Sequence, residues 1–170
     1  SIHRLSLNSQ NNQTASFPTK LSETGIFENT SQLQPAEGVI EYDINAHHWA
    51  DGTHSRQWIA LPNHTQVTLF EESDWKTGDS EGRFVFPTDS VAVKTVSYFT
   101  NAQDTDSEKH IETQLLHKNG DEWAAYNYIW NEEQTEAFLQ EDRASERKLI
   151  IKDLTAPNGQ RVQTWHHSSR

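Results

Sequence analysis

The chain has 170 residues, about one domain's worth, and sets 14 Lys and Arg against 25 Asp and Glu for a formal net charge of −11. Its basic residues are scattered, so it lacks the positive face that a nucleic-acid partner requires. It contains no Cys and no Met, which removes disulfides, thiolate metal sites, a cysteine nucleophile, iron–sulfur clusters and covalent haem attachment within these residues.

Ser1 to Lys20 is rich in Asn, Gln, Ser and Thr, with few large apolar side chains, and is expected to be a linker or arm (residues 1–20) leading into one β domain (residues 21–170). The first residues show no signal peptide, and no apolar run is long enough to insert in a membrane. A short helical turn is expected from Thr19 or Ser22, ending by Gly25.

Beyond it, β-type runs rich in Val, Ile, Tyr, Phe and Trp alternate with Gly, Pro, Asn and Asp. They are Gly38–Tyr42, Arg56–Leu61, Thr65–Phe70, Arg83–Phe86, Val91–Phe99, His110–Lys118, Glu122–Trp130, Lys148–Leu154 and Gln160–Trp165. The expected fold class is therefore all-β, an antiparallel β-sandwich or jelly-roll-like barrel with one or two short helices.

Asn119-Gly120 is the clearest hairpin signal, because both residues accept the positive φ of a type I′ turn. With those two residues as the loop, Leu115 faces Ala124, Thr113 faces Tyr126 and Ile111 faces Tyr128 on the more apolar, core-directed side. Leu116, Gln114 and Glu112 then share the other side with Trp123, Ala125 and Asn127, where water or a partner is in reach. Asn131 is expected to cap a short helix over residues 132–139, whose first turn is acidic. Asn158-Gly159 suggests a second hairpin, less clean because Pro157 precedes it.

Several residues could carry chemistry. His47, His48, Asp51 and His54 are the densest set of ligand types and, on a helix, would suit zinc or copper in a metal-dependent oxidoreductase; the Asp51-Gly52 turn signal argues for a polar loop instead. Asp43, Asn45 and Asp51 are candidate calcium ligands, although the run lacks the Gly and Glu of an EF-hand and reads equally as loop punctuation.

The chain has six Trp residues, at 49, 58, 75, 123, 130 and 165. Trp58 and Trp130 lie in alternating strands and are expected in the core, whereas Trp75 and Trp123 are candidates for stacking on sugars. Three Asn-X-Ser/Thr sequons, at Asn12, Asn29 and Asn63, are weak evidence of glycosylation. No carboxylate pair, G-x-S-x-G elbow or phosphate-binding loop marks a catalytic site.

Read together, Leu21–Phe27, Pro35–Asn45, Trp49–Gly52, Arg56–Pro62, Phe84–Pro87, Val93–Thr95, Ile111–Thr113, Tyr128–Thr135 and Thr164–His166 resemble consecutive blocks of one family. That family is an uncharacterised module of bacterial extracellular or periplasmic proteins resembling c-type cytochromes. Its members are sometimes joined to carbohydrate-binding or sugar-dehydrogenase-like domains. The likeness covers about residues 21–170, and in the family the Thr-Trp-His phrase is soon followed by a C-x-x-C-H haem site.

The resemblance implies a secreted or periplasmic, non-catalytic scaffold that docks against an adjoining c-type haem domain and works near polysaccharide. Trp165, His166 and His167 would lie at that junction, where a histidine could shield or ligate the haem iron. The cluster of His47, His48 and His54 departs from the family pattern. A carbohydrate-binding module using Trp75 and Trp123 is the alternative that the aromatic residues suggest.

Overall fold

The computed structural model describes residues 17–45, 52–69, 84–140 and 144–167. Trp75, His47, His48 and Asp51 lie outside the described residues. The strands are β1 (Phe27–Asn29), β2 (Gln34–Pro35), β3 (Val39–Tyr42), β4 (His54–Ala60), β5 (Thr68–Leu69), β6 (Phe84–Val85), β7 (Val91–Phe99), β8 (Glu108–Asn119), β9 (Glu122–Trp130), β10 (Ala137–Leu139), β11 (Ser145–Lys152) and β12 (Gln160–His167). The chain is all-β, as expected, and among the described residues no helix is long and apolar enough to cross a membrane.

A six-stranded antiparallel sheet, in the order β10-β9-β8-β7-β4-β3, forms the body; β1-β2, β5-β6 and β11-β12 are two-stranded ribbons. Period-two alternation decides what each face of the large sheet carries. One face presents Trp58, Ala60, Val91, Val93, Leu115, Tyr128 and Trp130, all buried. The N-terminal segment covers it: Leu21, Ile26, Phe27 and Leu33 complete the cluster, and Phe27 meets Trp58 edge-on at 5.0 Å.

Residues 17–20, part of the stretch expected to be an arm, lie on the same side. Phe17 stacks on Tyr126 at 3.5 Å and the Tyr128 hydroxyl donates to the Pro18 carbonyl. The turn before β1 spans Leu21–Thr24 and stops at Gly25, whose φ of 74° a Cβ would strain. Inside this core a polar chain is fully paired: Trp130 Nε1 donates to Thr113 Oγ1 at 2.9 Å, which lies 2.8 Å from Thr95 Oγ1.

Among the described residues, the opposite face is covered at one end only, by the β11-β12 ribbon. Leu149, Ile151 and half-buried Trp165 pack there on Val96, Tyr98 and Ile111. Ile111 reaches that layer because β8 bulges: Glu112 pairs with Val96 but His110 pairs with Ser97, so Ile111 is an extra residue turned to the side of Glu112.

Three expectations are corrected here. The β8-β9 hairpin exists, but Asn119 pairs with Glu122, so the loop is Gly120-Asp121, with positive φ at Gly120 and not at Asp121. That pattern suits a turn with Gly first, and Leu115 faces Tyr126 rather than Ala124. The slip is by two positions, so residues 113–118 keep their expected faces, but the bulge turns Ile111, expected on the core-directed side opposite Tyr128, to the other face.

The helix over residues 132–139 is absent. Asn131 does cap, its Oδ1 accepting from the Thr135 and Glu136 amides, but it caps a turn. Gln134 then sits at a φ of 57°, which ends any helix, and Ala137–Leu139 returns as β10 against β9. Gln134 is held there by bonds to the backbone of His110, next to the bulge. The Asn158-Gly159 hairpin forms around a longer connection: β11 and β12 pair from Ser145 with His167 to Lys152 with Gln160, and Asn158 and Gly159 both take positive φ.

Candidate functional site

The part of the second face that no other described residue covers is an open cleft of about 490 Å³. Its floor follows from strand register. Tyr42 pairs with Gln57, Gln57 with Lys94, Lys94 with Gln114 and Gln114 with Asn127, so one polar row runs straight across five strands. Gln140 extends it, its side-chain oxygen accepting from Asn127 Nδ2 at 3.0 Å.

The adjacent row is apolar: Ile40 pairs with Ile59, Ile59 with Ala92, Ala92 with Leu116 and Leu116 with Ala125. Ile40 and Leu116 are exposed. Trp123, opposite Lys118, flanks this row and is 38% exposed; Phe86 meets its ring edge-on at 5.6 Å and the Lys118 ammonium lies over it at 5.7 Å. The cleft therefore combines a line of hydrogen-bonding groups, one per strand and about 4.8 Å apart, with a flat apolar strip beside it.

At the ribbon end of the cleft Glu112 is 2% exposed. One of its oxygens accepts from His167 Nδ1 at 2.6 Å, Trp165 Nε1 at 3.1 Å and Asn127 Nδ2 at 3.2 Å; the other accepts from Gln114 Nε2 at 2.7 Å. Burial alone would raise the carboxyl pKa, but the donors together hold it below its ordinary value. Glu112 thus ties β12 to the sheet and orients two carboxamides of the cleft floor.

A second polar cluster lies on the other face, where β4, β7 and β8 meet. Glu108 accepts from His54 Nε2 at 2.8 Å, and Ser97 Oγ lies 2.8 Å from His110 Nδ1. The His54 bond, opposed by burial, brings the Glu108 pKa down to about 2, while burial pushes His110 below its ordinary value. Ser, His and Glu suggest a triad, but the geometry does not make one: Glu108 also approaches His110 at Nδ1, at 3.7 Å, the nitrogen already facing Ser97. A triad needs the acid and the nucleophile on opposite ring nitrogens. Ser97 is also buried.

Among the described residues, the expected site residues lie apart from the cleft row. Asp43 accepts from the Ile44 amide and Asn45 is exposed; Asp51, the third of the calcium set, lies outside the described residues, and among the described residues no three metal-ligand side chains cluster. His166 and His167, alike in sequence, fall on opposite sides of β12. His167 is 3% exposed and bound to Glu112, whereas His166 points outward, 3.1 Å from Glu146.

The residues of the polar row were legible only in part. Gln114 and Asn127 are expected on a face open to a partner, but Tyr42, Gln57 and Lys94 join them only through register across β3, β4 and β7. No protein-family model, curated protein or solved structure matches the chain.

Proposed function

We propose that this chain is a non-catalytic carbohydrate-binding module that seats a polysaccharide in the open cleft, across the strands. The observation that carries this reading is the polar row lying beside the apolar strip. A pyranose ring has one apolar face and a rim of hydroxyls, and the strand spacing of about 4.8 Å is close to the length of one sugar in an extended chain. Each sugar can then rest on the Ala92, Leu116 and Ala125 strip while its hydroxyls exchange hydrogen bonds with Gln57, Gln114 and Asn127. Trp123 supplies an aromatic ring at the flank.

The test is depletion from solution by a panel of insoluble polysaccharides, with Ala125→Arg filling the cleft and Lys148→Ala, on the outer side of β11, as the control. Retention that Ala125→Arg abolishes and the control keeps supports the reading. No retention on any glycan refutes it.

A second reading, a secreted scaffold that docks an adjoining c-type haem domain, is favoured by the ribbon. Its inner side is anchored through Glu112, and its outer side exposes the directly paired Ile150 and Val162 at 62% and 61%. In a longer chain that carries the haem domain, this reading expects Ile150→Glu to make the domain junction sensitive to protease; unchanged protection refutes it.

A further inference from the structure

Resting on the carbohydrate reading, we infer that the cleft is selective for a glycan with widely spaced acidic groups, one carboxylate or sulfate ester of which pairs with Lys94. Lys94 stands at the centre of the polar row, between Gln57 and Gln114, and is half-buried. It has no side-chain hydrogen-bond or ion-pair partner among the described residues.

The carboxylate on the same face, Glu112, does not serve it, because its oxygens already accept from His167, Trp165, Asn127 and Gln114. An ammonium on a residue paired in register with two carboxamide residues, with no counter-ion among the described residues, is a place for a ligand's negative charge. The carboxamides supply further hydrogen-bonding groups to the same substituent.

The charge of the whole molecule decides how dense the ligand's own charge can be. A net charge of −11 repels a continuous polyanion at each place where its charges pass within about 8 Å of the acidic surface, the reach of a charge at physiological salt. A single acidic substituent set among neutral sugars meets Lys94 locally and avoids that repulsion. The occupant is therefore a mostly neutral chain carrying isolated uronic acid or sulfated sugars, rather than a polyuronate.

Titration calorimetry on the whole chain tests this with one polysaccharide in three forms: bearing sparse uronic acids, the same polymer with its carboxyls reduced, and the reduced polymer sparsely sulfated. A fully acidic polyuronate is the fourth ligand. Lys94→Gln removes no hydrogen bond or ion pair among the described residues and keeps a similar length, so the fold persists; Lys94→Arg keeps the charge.

The expected result is binding about 10-fold tighter to the sparsely acidic or sulfated form than to the reduced form. Lys94→Gln should erase that preference and Lys94→Arg retain it, and the tighter of the two anionic forms identifies the group. Equal binding of all forms, or a preference that survives Lys94→Gln, overturns the inference while leaving the carbohydrate reading standing. Tighter binding of the polyuronate overturns the sparse-charge conclusion. Failure of every form to bind overturns the carbohydrate reading itself.

Discussion

Replacing Glu112 examines both the fold and the cleft. Glu112→Ala leaves three buried or half-buried donors, on His167, Trp165 and Asn127, and a fourth on the exposed Gln114, without this acceptor. Removing one member of such a buried set costs about 3–5 kcal/mol, because the groups left behind remain desolvated and unpaired. Glu112→Gln keeps the shape but offers one acceptor oxygen for two and sets its own NH2 against a donor, for which about 2 kcal/mol is expected. With a urea m-value of roughly 2 kcal/mol/M, the midpoint should fall by about 1.5–2.5 M for Ala and about 1 M for Gln.

The pH dependence has a definite sign. The folded pKa of Glu112 lies below its ordinary value of 4.5, so its contribution is present above that value and is lost as pH falls through the folded pKa. Glu112→Gln should therefore be less stable at neutral pH and lose less stability on acidification. Urea melts followed by Trp fluorescence, which reports Trp165 at the clasp, provide the measurement at pH 7 and in acid. A Gln variant that unfolds within about 0.3 M of the parent at pH 7 would refute the view of Glu112 as the tie between β12 and the sheet.

Other outcomes follow from the same geometry. Leu149→Ala empties a fully buried site beneath the ribbon and should cost about 2–5 kcal/mol, read from the shift in the urea midpoint. Thr113→Val leaves the Trp130 indole N–H unpaired in the core and should cost about 1–3 kcal/mol, again by urea unfolding. His54→Phe preserves a ring against Phe99 but removes the main cause of the low Glu108 pKa. The Glu108 carboxyl should then titrate close to 4.5 instead of about 2, as followed by carbon-detected NMR. Stability that Glu108 provides above pH 4.5 and loses as pH falls towards 2 should shrink with it; titration still near 2 would count against the His54 bond as the cause.

What the sequence by itself determined is the chemistry of each strand's two sides. Val91–Phe99 and Glu122–Trp130 form over the expected residues, Trp58 and Trp130 are buried, and the two sides of the β8-β9 hairpin carry the expected side chains up to the bulge that turns Ile111 over, because alternation is a property of the extended backbone alone. Tertiary structure decided everything that depends on a distant neighbour. Residues 131–139 have a cap and an acidic first turn, yet a bulge more than twenty residues away binds Gln134 and sends the chain back as β10.

His166 and His167 differ by one place, and only the packing of β12 decides which of them meets Glu112. The cleft depends on the same choice made repeatedly. Tyr42, Gln57, Lys94, Gln114 and Asn127 are unremarkable along the chain, and they form a row because four strand pairings align them. Register is set by turns, bulges and the layers above and below each face, and these are interactions between residues that are distant in sequence.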